Sequence, residues 1–128
     1  MAVSTTNDKN SARPSDRPRL SADPLYRLLR EGRVEEFNRR RKAGEAVDLR
    51  GCNLRGLDLR ELDAAGMDFS DCYFRQADLR GLDLRTCRLG GASLHAAHIS
   101  GVYFPHDLEA AEIEMSVRMG TRLRARDA

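Results

Sequence analysis

Residues 47–106 keep a five-residue beat through twelve consecutive units: VDLRG CNLRG LDLRE LDAAG MDFSD CYFRQ ADLRG LDLRT CRLGG ASLHA AHISG VYFPH. The middle position is Leu, Phe or Ile in eleven units and Ala64 in the other. A period of five suits neither regular element. On an α-helix five residues overshoot a full turn by roughly 140°, so the apolar positions would smear around the cylinder. On one continuous strand, where side chains alternate, an odd period would send the apolar positions to opposite faces in successive units. A corner after each short extended piece resolves the conflict. The first and third residues of a unit then point inward (Val47 and Leu49, Cys52 and Leu54, Leu57 and Leu59), and the second and fourth, mostly Asp and Arg, point outward. Gly at the fifth position of six units supplies the backbone freedom a corner needs. Such a coil hides its apolar side only by stacking on its neighbours, which predicts a solenoid.

The repeating A/C-D/N-L/F-R/S-G unit resembles the pentapeptide-repeat family. The resemblance implies an all-β solenoid, a right-handed quadrilateral β-helix of about three coils, here with short α-helical caps at both ends. At about 4.8 Å per stacked strand, three coils reach roughly 15 Å. A stack this short needs both open ends covered. The family's best-known activity is mimicry of DNA by long, acidic, dimeric barrels directed at gyrase. Three mixed-charge coils, with Arg at many fourth positions, make a poor copy of a phosphate backbone. The sequence also departs from the family pattern: Tyr73, Arg88, Ser93, His98 and Tyr103 replace the usual Asp or Asn, and Leu57, Leu62, Met67 and Leu82 are larger than the usual first residue. Leu62 and Met67 are expected to fill the space left by Ala64.

The flanks divide the remainder. Residues 1–22, rich in Ser, Thr, Asn, Asp, Arg and Pro, are expected to be a disordered tail. Residues 23–46 form a helical N-terminal cap, begun by Asp23-Pro24 as capping acid and first helical residue. It lays Leu28, Val34 and Phe37 over the first coil. A C-terminal helix occupies 107–120, with Gly120 as its stop, and 121–128 is a basic tail. On that helix Leu108, Ala111, Met115 and Met119 share one face, and Ala110, Ile113 and Val117 the opposite one. A lid needs only one apolar face. The expectation is that one face packs on the last coil while Ala110, Ile113 and Val117 meet a second copy or another protein.

Candidate chemistry is sparse. Cys52, Cys72 and Cys87 occupy inward first positions, without the spacing of a metal site, and read as reduced packing residues. A four-sided coil would stack Cys52 directly on Cys72. His95, His98 and His106 fall on different faces. No nucleophile–base set or metal set can be assembled, so no enzyme, cofactor or small-molecule substrate is expected. On four-sided bookkeeping one wall carries Asn53/Arg55, Tyr73/Arg75 and Ser93/His95, with a basic column, an exposed aromatic and no acid. That wall (Arg55, Tyr73, Arg75, His95) is the candidate surface for an anionic or planar group. The other walls carry Asp58/Arg60, Asp78/Arg80 and Asp83/Arg85, read as exposed ion-pair ladders.

Residues 1–46 hold 11 basic and 7 acidic residues, whereas 47–106 hold 7 and 8. The run Arg39, Arg40, Arg41 and Lys42 is a candidate anion-binding patch, and equally the complement of a helix dipole. The leading expectation is a non-enzymatic scaffold or interaction module that binds a protein partner, or itself, through the C-terminal helix. The alternative is a nucleic-acid or ribosome-associated binder using the basic cap. No apolar run suggests a membrane span or signal peptide, so a cytoplasmic location is the default.

Overall fold

The computed structural model describes residues 19–126. Three helices flank the repeats: α1 (Pro24–Arg30), α2 (Val34–Lys42) and α3 (Ala110–Met119). Most of the expected tail at 1–22 lies outside the described residues. None of the helices in the described part is long and apolar enough to cross a membrane.

Between the caps the chain returns to the same side every four units. Tyr73 forms parallel bridges to both Asn53 and Ser93, each 20 positions away, and Asp78 does the same with Asp58 and His98. One such 20-residue circuit is called a coil below. The pairing consists of isolated bridges, and no extended strand occurs among the described residues. A corner in every unit leaves too little straight backbone for more.

The hydrogen bonds repeat with the same register. The third residue of a unit donates its N–H to the carbonyl of a second residue one coil later, as in Leu54 to Tyr73 (2.8 Å), Phe74 to Ser93 (2.8 Å) and Leu79 to His98 (2.9 Å). The second residue donates back to a first residue one coil earlier, as in Tyr73 to Cys52 (3.0 Å) and Asp78 to Leu57 (2.8 Å). Each corner closes locally, for instance by Cys52 N–H to the Leu49 carbonyl at 3.0 Å. Gly51 is the third residue of that turn, with φ of 69°, the positive value a type II turn requires there. Asp71, Gln76 and Ala96 adopt φ near 60° at equivalent corners without being glycine.

The first and third positions fill the interior. Leu49, Leu54, Leu59, Leu79, Leu84 and Leu94 are all essentially inaccessible, and Phe69 and Phe74 meet edge to face with centroids 5.4 Å apart. Ala64 is buried together with Leu62 and Met67. The N-terminal cap adds Leu25, Leu28, Leu29, Val34 and Phe37 to the same core.

Both ends of a stack expose backbone groups that water or the protein must satisfy. At the first coil the Arg19 backbone pairs in parallel with Cys52, and side chains imitate the rest of a missing strand. Asn38 of α2 accepts from the Asp63 N–H (2.9 Å) and donates to the Glu61 carbonyl (2.9 Å). Tyr26 donates to the Asn53 carbonyl at 2.7 Å, and the Arg19 guanidinium serves the carbonyls of Asp48 and Arg50. At the last coil the acceptors come from beyond residue 106. Gly91 donates to the Leu123 carbonyl (2.8 Å), Leu94 to Ser116 Oγ (2.9 Å) and Ala96 to the Val117 carbonyl (2.9 Å). Helix α3 and the segment after it therefore close the edge of the last coil.

Candidate interaction surface

Ser116 fixes the rotation of α3. It is fully buried, accepts from Leu94 N–H, and donates from its hydroxyl to the Thr121 carbonyl at 2.6 Å. With Ser116 facing the coil, Ile113 and Val117 are drawn against the core and are partly buried. This corrects the expected orientation: Ile113 and Val117 pack inward, and of that trio only Ala110 stays exposed. The outward apolar strip is Ala111, Met115 (42% exposed) and Met119 (71% exposed). It lines a hollow of about 320 Å³ together with Glu114 and Arg118, which pair across one helical turn at 3.4 Å. Leu108 is buried, but before the helix begins, in a turn closed on the Pro105 carbonyl.

The segment after α3 is bound tightly to the body. Gly120 ends the helix with φ of 80°. Arg122 then forms an antiparallel bridge with Ser93, stacks 4.8 Å over the Tyr73 ring, hydrogen-bonds to the Tyr73 hydroxyl, and donates to the Gly91 carbonyl at 2.7 Å. Leu123 is 2% exposed and part of the core. Arg124 binds Glu112, and Arg126 donates to the His106 carbonyl at 2.6 Å. The three arginines of the basic tail thus have structural partners. Sequence reading missed Ser116 and Leu123. The alternation Arg122-Leu123-Arg124-Ala125-Arg126 was the available signal for an extended segment with one face inward.

The acid-free wall is partly assembled into a site. Tyr73, Arg75 and His95 line a recess of about 270 Å³ with Met119 and Arg122, whereas Arg55 is not among its lining residues. His95 Nδ1 is buried and has no hydrogen-bond partner among the described residues. It lies beneath Gly120, where an added Cβ would come within 3.2 Å of it.

The basic run on α2 is divided. Arg40 forms a two-pronged bond with Glu45 (2.9 Å each), and Arg41 donates to the Asp63 carbonyl at 3.1 Å. Arg39 and Lys42 remain exposed.

The outward Asp–Arg pairs are more than surface ladders. In Asp48/Arg50, Asp58/Arg60, Asp78/Arg80 and Asp83/Arg85, Asp Oδ1 accepts the Arg backbone N–H at 3.1–3.2 Å while the guanidinium forks onto both carboxylate oxygens. The guanidinium bonds hold Asp48 and Asp83 at a pKa of about 2 and lower Asp58 and Asp78 as well. A carboxylate whose pKa is lower when folded adds stability above its unfolded pKa of about 3.9 and loses it as pH falls toward the folded value. The urea midpoint is therefore expected to be flat above about pH 5 and to decline between about pH 4 and pH 2. Asp83→Asn keeps the turn acceptor, as Asn53 does for Arg55, and should make that decline shallower.

All three cysteines are free and buried. Burial raises the Cys72 thiol to about 12 and the Cys87 thiol to about 11, and raises Cys52 too. Thiolate being the reactive form, the folded protein should leave a chromogenic disulfide reagent unreacted over minutes at pH 8. Three thiols should react at once in guanidinium chloride; a rapid native thiol would contradict this burial.

Among known proteins, a family model described as pentapeptide repeats (8 copies) matches residues 45–81 and 68–104. No curated protein and no solved structure matches the chain.

Proposed function

The chain belongs to the pentapeptide-repeat family, and on that premise we propose that it is a right-handed, four-sided β-helix of three coils that serves as a non-enzymatic scaffold and binds a protein partner through the outer face of α3. The family's members are generally structural or interaction modules. The 20-residue parallel register supports the four-sided coil. The observation that carries the binding role is the Ala111–Met115–Met119 strip, which covers nothing among the described residues although the opposite side of the helix already completes the lid. Exposed methionines beside an apolar hollow are a common feature of adaptable protein-binding surfaces. The nucleic-acid reading is weaker, because Arg40 and Arg41 already have internal partners.

Deleting α3 would remove the acceptors of the last coil, so substitutions on its outer face are the proper test. The Met115→Asp/Met119→Asp variant should keep the wild-type melting curve and lose a protein that wild type retains from native lysate. A light-scattering mass of two chains, falling to one in the variant, would identify the partner as a second copy. Equal retention by both proteins, with equal masses, would contradict the docking role.

A further inference from the structure

We propose that the recess between Arg75, His95 and Met119 is a carboxylate-binding site that seats an acidic side chain of the docked protein segment. This rests on the docking role of α3 for its apolar half; the recess itself stands on its own geometry. On the other walls a fourth-position Arg is clamped by the Asp two residues before it, as in Asp78/Arg80 and Asp83/Arg85. Tyr73 stands at that place before Arg75, so the exposed Arg75 guanidinium has no such clamp. Among the described residues, the lining of the recess includes two guanidiniums, from Arg75 and Arg122, and no carboxylate. Arg122 is held in position by Tyr73 and the Gly91 carbonyl, and so presents its charge at a fixed place. His95 also lines the recess, with its Nδ1 buried under Gly120 and the rest of the ring forming part of the wall.

Met119 joins the two features, since it lines both the recess and the apolar hollow on α3. A segment that lays apolar side chains on Met115 and Met119 can therefore place a neighbouring acid beside Arg75. The C-terminal end of α3 also borders the recess at Gly120. Its partial negative charge opposes any anion there, so attraction must come from the guanidiniums, and the adjoining apolar strip is what favours an acidic amphipathic peptide over nucleic acid.

The probe is a short acetylated helical peptide of leucine and glutamate, compared with its glutamine counterpart and with a thymidine oligonucleotide. Binding is followed by amide and methionine-methyl NMR shifts of the full chain. The glutamate peptide should bind at low ionic strength, shift the Met115 and Met119 methyls together with His95 and Gly120, and bind about tenfold more weakly to Arg75→Gln. Equal binding of the two peptides, or an unchanged affinity in Arg75→Gln, overturns the carboxylate site; loss of both peptides in Met115→Asp would then leave the docking face standing. Shifts from the glutamate peptide confined to the recess and insensitive to Met115→Asp sink the docking face instead. Binding of the oligonucleotide at the recess, or of neither peptide, overturns the proposal.

Discussion

Leu123→Ala is expected to cost about 2–5 kcal/mol of folding stability, the range for emptying a fully buried leucine site. Leu123 lies only four residues beyond a helix that already looks like the end of the domain, yet it is 2% exposed and belongs to the core. Its backbone is fastened on both sides of the side chain. The Leu123 N–H donates to the Ala92 carbonyl and its carbonyl accepts from Gly91, each at 2.8 Å. Truncation leaves these bonds possible but removes the apolar group that holds the segment down. Urea denaturation with an unchanged slope and a lower midpoint would report this loss. A variant as stable as wild type would mean that Leu123 does not close the stack.

Ser116→Ala should cost about 1–3 kcal/mol, although it removes a single oxygen and favours the helix by intrinsic propensity. The hydroxyl accepts from Leu94 N–H, the bond that in earlier coils goes to a backbone carbonyl such as those of Tyr73 and Ser93. Alanine would leave that N–H buried with no acceptor, and the Thr121 carbonyl would lose its donor. On an exposed helix face the same substitution would be neutral or stabilising. Thermal melts of Ser116→Ala beside Ala111→Ser, a change on the outer face, separate the two cases: the first should fall by several degrees and the second by little.

The repeats and the caps differed in how much of them could be read from the sequence. The inward positions were legible because burial forces the same choice twelve times, and Leu54, Phe74 and Leu94 are fully inside. The edges of the stack were not, because each is closed once, by residues that repeat nothing. Asn38 and Ser116 imitate backbone, a role that no spacing announces in a polar helical residue. The rotation of α3 is set in the same way. Hydrophobic periodicity showed two apolar faces, but a serine hydrogen bond decided which one turned inward. The pattern of second-position Asp and fourth-position Arg announces a surface ladder, but not that the Asp side chain also completes the turn through the Arg N–H. At the candidate recess the sequence brought Tyr73, Arg75 and His95 to one wall by counting units. It could not bring Met119 and Arg122 there, because that requires the chain to turn back after Gly120.

Helix α3 and residues 121–123 are the last layer of the stack and not an appendage to it. Amide hydrogen exchange of the full chain can show this residue by residue. Gly91, Leu94 and Ala96 should be protected as strongly as Gly51, Phe74 and Gln76, whose acceptors lie in a repeat coil. Fast exchange at Gly91, Leu94 and Ala96, with Phe74 and Gln76 still protected, would mean that this segment does not close the stack.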